Sequence, residues 1–567
     1  MAGSTNIDRR LASSINRRAI SVVIALLMVC CAIAYKLFLI HGVYGDKLSA
    51  KQYAVTHTAV TDMPQRGQIY DRFGYGLALN TPEVELWVDQ KHVAWQKQDI
   101  DSFADAINEE PEIVANWFKV HKETYRRYSI TDWSTSLRLR SKGLKGLHTK
   151  VRFRRFYPLK SASAHLLGKL NSEGKGSMGL EYSFEKTLAG DALQRVVKHD
   201  RHGRPMQALT KFAAMKKQSV KTTIDHRVQH YAFEALKEMV EKSSAQAGSV
   251  VVLDRNGDIH AMVNYPSYDP NFPIKKIDSA LKNRAYIDMF EPGSIIKPIA
   301  IAALLSDQLP DDTTYFTGNG KFKFMGHYVT DTSPMKHVAL KDILIKSSNI
   351  AMVKMAQTVQ NKNLISGLKD FMLFDLSGIH LFGEPVNHDY SQINRDSAAY
   401  LTASYGYGIH VTLLRIAHAY LILANDGLDP GVRIIDGEQV TQQRVIDKAT
   451  AKRVNQMMLS AVMKNGTGRR ARVKNVNVAG KTGTTHKHRS GGYQEDAHIA
   501  SFVGFAPAED PQYVVAVMLD EPKGNLHYGG TSCAPLFRDI MDYALKVRVV
   551  SPQIAYDKGV RDATSYN

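Results

Sequence analysis

Cysteine is nearly absent, with three among 567 residues. Cys30 and Cys31 are adjacent near one end and Cys533 lies far away, so the body of the chain can form no internal disulfide. Packing and strand pairing must hold it together. No metal-ligand cluster of recognised spacing occurs. His486-Lys487-His488 is a tempting pair, but Arg489-Ser-Gly-Gly492 follows it, and a solvated hairpin loop is the better reading. No cofactor signature and no internal repeat are found. The formal charge is +18 with a pI near 9.4, which raises the question of a polyanion partner. Zinc-finger cysteines, a helical basic region and an aromatic ribonucleoprotein motif are all missing, and the basic residues are dispersed, so no nucleic acid is expected. The charge suits an envelope protein beside anionic lipid and acidic polymer.

Apolar content is ordinary at 44%, enough for real cores, and the length allows about two to four domains. Ala19 to Tyr35 is an uncharged, mostly apolar run, extended by Leu37 to Ile40 after Lys36. It can span a bilayer if Lys36 snorkels to the far interface. Arg9, Arg10, Arg17 and Arg18 precede it, which puts the N-terminus in the cytoplasm and the body outside. Ala32-Ile-Ala34 resembles a signal cleavage site, yet the run continues beyond it, favouring an uncleaved anchor.

Three short stretches carry chemistry: Ser294-Ile-Ile-Lys297, Ser347-Ser-Asn349 and Lys481-Thr-Gly483. They supply a serine nucleophile, a lysine able to act as its base, a polar second layer and a basic anchor for a carboxylate. Ser-x-x-Lys also occurs at Ser172, Ser183, Ser279, Ser333 and Ser366, so the pattern alone says little. Context distinguishes Ser294. Glu291-Pro-Gly precedes it, and an alanine- and leucine-rich run, Ala300 to Leu305, follows. A helix is therefore expected to start at or beside the serine, with Pro298 tolerated only near that start. Ser294 and Lys297 then share one helix face.

Residues 41–220 mix strand-like stretches with basic segments such as Val151-Arg-Phe-Arg-Arg-Phe156, without a catalytic constellation. From about 221 the pattern changes. His226 to Ser243 reads as an amphipathic helix, and Ser249 to Asp254 and Ile259 to Val263 as strands joined through Asn256-Gly257. His498 to Phe505 and Tyr513 to Leu519 read as strands, and Cys533 to Val547 as a closing helix. Strands from both ends thus bracket a mainly helical middle. The expected class is α+β, an antiparallel sheet sandwiched by helices as in serine β-lactamases, with Lys481-Thr-Gly483 on or beside an edge strand. The chain divides into a tail (1–18), a transmembrane anchor (19–40), a domain without catalytic groups (41–220), a domain that carries the three motifs (221–550) and a C-terminal tail (551–567).

Glu291-Pro-Gly-Ser-Ile-Ile-Lys-Pro298, Lys346-Ser-Ser-Asn349 and Val478-Ala-Gly-Lys-Thr-Gly-Thr484 resemble the three signatures of class B penicillin-binding proteins. The likeness is strongest to the division-specific peptidoglycan D,D-transpeptidases, the FtsI type. Arg66-Gly-Gln-Ile-Tyr-Asp-Arg-Phe-Gly74 and Gly179-Leu-Glu181 resemble the signatures of their elongated pedestal, and Tyr405-Gly-Tyr-Gly408 another family stretch. Ile295, Ile296, Thr485 and Leu413 depart from the usual residues without removing a chemical group. Elongation-type relatives tend to carry aspartate where this chain has Asn349.

The resemblance implies a transpeptidase fold and a serine acyl-enzyme. Ser294 attacks the bond between two D-alanines of a stem peptide, and an amine of a neighbouring stem then attacks the ester. Lys297 acts as base, its pKa depressed by burial and by Lys481. Ser347 relays the proton and Asn349 orients Lys297 and the substrate amide. Lys481, Thr482 and Thr484 hold the terminal carboxylate, Gly483 permits close approach to the substrate, and backbone N–H groups of Ser294 and Thr484 form the oxyanion hole. The implied partners are stem peptides, β-lactams, the membrane, a SEDS-type glycosyltransferase and other divisome proteins. Rival readings are an elongation-type transpeptidase, a D,D-carboxypeptidase or β-lactamase, a β-lactam sensor and an idle divisome scaffold. A sensor needs an output across the membrane, against which the short stretch before the anchor argues.

Overall fold

The computed structural model describes residues 4–550 except 63–64, 90–92, 94, 121–124, 131–132, 191–192, 200–204, 209–217, 275–278, 306–308, 325, 360–361, 387–388, 396, 464–465 and 490–491. The expected C-terminal tail lies outside the described residues. Two compact units emerge, one from residues 1–64 and 189–217, the other from 65–188 and 218–567. In the first, helix Ser4–Phe38 runs into a π turn, Leu39–Val43. The stretch Asn16–Val43 is long and apolar enough to cross a membrane. Strand His57–Asp62 pairs antiparallel with Leu193–His199, which pairs with Pro205–Ala208.

In the second unit a five-stranded antiparallel sheet forms the frame. Its order is Ile259–Tyr265, Ala247–Asp254, Tyr513–Asp520, Gly492–Ala506, Ala479–Arg489. Strand Ala247–Asp254 is buried throughout, as its run of valines requires for a strand covered on both faces. Helix His226–Lys242 starts where Asp225 accepts a hydrogen bond from Arg227 N, and buries Val228, Ala232, Phe233, Leu236 and Val240 at helical spacing. With helix Cys533–Val550 it packs one face of the sheet, where Phe502 and Phe537 meet at 4.7 Å. The other face is covered by Leu413–Ala424 and the mainly helical middle of the chain.

The strands match the sequence expectation in order and to within a few residues, except at the hairpin tip. His486 to His488 do not form a loop: they lie in strand Ala479–Arg489, paired to the returning strand Gly492–Ala506. Lys487 explains the extension, for its ammonium bonds Asp520 at 2.7 Å and Glu521 at 3.1 Å and fastens the arm to the sheet. In the N-terminal part of this unit, Arg66 and Arg155 both pair with the fully buried Glu181, at 2.6 and 2.7 Å. A buried carboxylate with two bonded guanidiniums is tolerated where a lone one is not. The Arg66 and Gly179-Leu-Glu181 signatures are therefore one structural node.

Candidate active site

Glycines and a proline set the turn that carries Ser294. Gly293 has φ +54, and a Cβ on it would collide with the Thr485 methyl. Its N–H donates to Gly406 O at 3.0 Å, and Gly406 itself (φ +91) presses so closely on Gly293 that only glycine fits. Residues Gly293–Ile296 form a 3₁₀ turn, and the α-helix begins only at Lys297 and runs to Leu304, with Pro298 in its first turn. The expected helix start at the serine is thus a 3₁₀ start. Ser294 is half-buried, Lys297 wholly buried.

Lys297 Nζ donates to Asn349 Oδ1 at 2.7 Å, to Ser347 O at 2.6 Å and to Ser347 Oγ at 3.3 Å. Ser347 Oγ donates to Ser294 Oγ at 3.1 Å. The first and second motifs thereby form one bonded chain from the serine through Ser347 to the lysine. Burial pushes the Lys297 ammonium well below its ordinary pKa, and the nearby Lys481 charge adds to this, with Asp331 opposing. Neutral amine is the form such an environment favours, and it can give only two of the three hydrogen bonds, which leaves its lone pair for the Ser347 hydroxyl at 3.3 Å.

Ser347 sits at φ +55, an uncommon conformation for a residue other than glycine. Asp331 holds the turn. It accepts from Ser348 Oγ at 2.5 Å, Asn349 N at 2.6 Å and Ile350 N at 3.1 Å. Ser348 caps the helix Asn349–Thr358 by accepting from Ala351 N, which leaves the Asn349 side chain for Lys297 and for Thr330 O at 2.9 Å.

Lys481, Thr482, Gly483 and Thr484 lie on the edge strand Ala479–Arg489, which leaves one row of backbone groups unused by the sheet. Lys481 is 1% exposed, and burial lowers its pKa to about 7. Its Nζ donates to Thr482 O at 3.0 Å. The Thr482 hydroxyl bonds that of Thr467 at 2.8 Å, and Thr484 Oγ1 accepts from Gly529 N at 3.0 Å. A Cβ on Gly483 would collide with Ser501 Oγ and stand 3.0 Å from Ile295. The glycine thus lets the edge strand close on the Ser294 turn and on its neighbouring strand. Ile295 and Thr485, two of the departures from the usual motif residues, are the side chains at that junction.

Sequence reasoning missed Asp331, Thr467 and Gly529. No spacing pattern marks Asp331, whereas the Gly466-Thr-Gly468 and Gly529-Gly530 stretches were visible turn signals. Glu291 was read only as context. Its Oε1 accepts from Gly408 N at 2.8 Å and from Tyr493 OH at 3.0 Å, joining the Ser294 turn to the hairpin arm.

Comparison with known proteins agrees with this architecture. Residues 248–542 match the model of the penicillin binding protein transpeptidase domain, and residues 61–222 that of the penicillin-binding protein dimerisation domain. A probable peptidoglycan D,D-transpeptidase, PbpC, of Pseudomonas aeruginosa is 32% identical, covering 88% of this chain and 90% of the relative. Peptidoglycan D,D-transpeptidase FtsI of Escherichia coli is 29% identical over 86% of this chain and 84% of its own. Among solved structures, penicillin binding protein 3 of Mycobacterium tuberculosis in complex with aztreonam superposes with a TM-score of 0.67 at 25% identity, covering 87% of this chain and 98% of that one.

Proposed function

The chain belongs to the penicillin-binding protein transpeptidase family, and from that premise we propose that Ser294 is the residue acylated in its reaction. The protein is a peptidoglycan D,D-transpeptidase of the division type, and β-lactams bind it as substrate mimics. The carrying observation is the bonded path Ser294–Ser347–Lys297 around a buried, neutral-leaning lysine.

In this reading Ser294 Oγ attacks the carbonyl between the two terminal D-alanines. Its proton passes to Lys297, directly or through Ser347, and Ser347 returns a proton to the departing D-alanine amine. Asn349 holds Lys297 and the substrate amide in register. Lys481, in its protonated form, and the hydroxyls of Thr482 and Thr484 take the terminal carboxylate. The N–H groups of Ser294 and Thr484 face the developing oxyanion, each donor of this kind being worth ~10²–10³ in rate. An amine from a second stem peptide then attacks the ester and restores the serine.

The helix spanning Asn16–Val43 supports a single-pass anchor in the inner membrane with the N-terminus in the cytoplasm, following the arginines before it. The division reading carries with it a membrane-embedded SEDS-type glycosyltransferase and other divisome proteins as partners. The test is intact mass after brief benzylpenicillin treatment, beside Ser294→Ala. A single stable adduct on the parent and none on the variant supports the reading. An unmodified, folded parent with the drug left intact overturns it in favour of an idle scaffold.

A further inference from the structure

Three imidazoles form a continuous row next to the edge strand, and the acylation chemistry uses none of them. Thr482, Thr484 and His486 occupy alternate positions of that strand and so share one face. His486 is the direct cross-strand partner of His498, with ring centroids 4.7 Å apart. His527 lies 4.9 Å from His498, and Tyr528 a further 3.8 Å along. The segment bearing His527 is tied to the third motif two residues later, where Gly529 N donates to Thr484 Oγ1. His486 Nδ1 bonds Gln494 O at 3.2 Å and His527 Nδ1 bonds Gly524 O at 2.5 Å. Each outer ring keeps Nε2 without a hydrogen-bond partner among the described residues.

Among the described residues the permanent charges around the row are Lys487 and Lys523 against Asp496, Asp520 and Glu521, so the row becomes cationic only where its imidazoles are protonated. His498 faces His486, His527 and Lys523, opposed by Asp496. Of the other described acids, Asp520 and Glu521 are engaged: Lys487 bonds both, and Lys523 stands 3.5 Å from Glu521. Burial, then the neighbouring imidazoles, hold His498 below its ordinary pKa. A ligand anion is what would reverse that balance. The row begins one strand repeat beyond Thr484, about 7 Å along the strand, the reach of a ligand bearing a second carboxylate.

We propose that His486, His498 and His527 form a specificity subsite that takes a second carboxylate of the acyl donor and strengthens as the imidazoles become protonated. It rests on the transpeptidase reading and deepens it, because it selects among donors by an acidic group beyond the terminal carboxylate. The sign follows from linkage: a bound carboxylate favours the imidazolium, so binding of such a donor gains as pH falls through the histidine range.

Benzylpenicillin and carbenicillin differ by one side-chain carboxylate, which stays ionised above about pH 5. The second-order acylation rate of each would be measured on the full chain in detergent from about pH 8 to pH 5.5, for the parent, His498→Gln and the His486→Gln/His527→Gln pair. Any dependence on Lys297 is common to both drugs and cancels in their ratio. The carbenicillin-to-benzylpenicillin ratio is expected to rise about threefold to fivefold on acidification of the parent, the size of a partly exposed ion pair. It should stay flat in variants that still react with benzylpenicillin and are therefore folded. A flat ratio in the parent, or an equal rise in the variants, overturns the subsite while leaving the transpeptidase reading intact. No adduct with either drug sinks that reading and the subsite together.

Discussion

Lys297 is bonded to Asn349, not to Ser294: Nζ meets Oδ1 at 2.7 Å, and the Ser294 hydroxyl receives its hydrogen bond from Ser347. The amide oxygen is neutral, so it positions the amine without adding negative charge. Asn349→Asp would put a carboxylate at the same place and favour the ammonium. The acid limb of the acylation rate is expected to move up by roughly one pH unit or more, read from a pH profile with benzylpenicillin. An unmoved limb would mean that Lys297 is not the base.

The two buried lysines give the parent a bell-shaped profile. Acylation falls as pH drops through the depressed Lys297 value, because the base becomes charged. Affinity for the substrate carboxylate falls as pH rises through about 7, where Lys481 loses its proton. Stopped-flow acylation with varied drug concentration separates the two limbs, the acid one in the limiting rate and the alkaline one in apparent affinity. A single monotonic limb would contradict these roles.

Both lysines also cost stability. Each has a lower pKa folded than unfolded, so between about 7 and the free-lysine value near 10.4 the unfolded chain holds more protons, and stability rises with pH. Lys297→Met should abolish acylation and raise Tm by about 2–4 °C, by removing the penalty of keeping an amine uncharged. Lower Tm in that variant would show that its hydrogen bonds outweigh its burial cost.

Asp331 should matter despite touching no substrate in the proposed mechanism. Asp331→Ala leaves Ser348 Oγ and two backbone N–H groups without their acceptor and frees Ser347 from a left-handed turn. We expect a loss of about 2–4 kcal/mol in stability and at least tenfold in acylation, checked by denaturant titration and adduct formation. Asp331→Asn should recover part of both.

Gly483→Ala tests the closeness of the edge strand. The new methyl meets Ser501 Oγ, and an overpacked site of this kind costs roughly 1–3 kcal/mol. The double variant Gly483→Ala/Ser501→Gly should regain stability, because it removes the colliding hydroxyl. Equal loss in the single and double variants would locate the clash at Ile295 instead.

Much of this was legible in local sequence. Asn256-Gly257 marked its hairpin, the valine run its buried strand, and Glu291-Pro-Gly before Ser294 a helical start. The misread segment, His486–His488, fails for a specific reason: Arg489-Ser-Gly-Gly492 signals a turn, but how far the flanking strands extend depends on Lys487 reaching Asp520 and on His486 pairing with His498, both remote in sequence.

The sequence by itself determined which groups are available and how each local turn begins, because capping, glycine freedom and strand patterning act over a few residues. Tertiary structure alone decided that three motifs separated by up to 187 positions become one site, that Asp331 braces it, and that two lysines lose most of their preference for charge. Those outcomes depend on burial and on charges brought near by the fold, and neither quantity exists until the chain has closed around them.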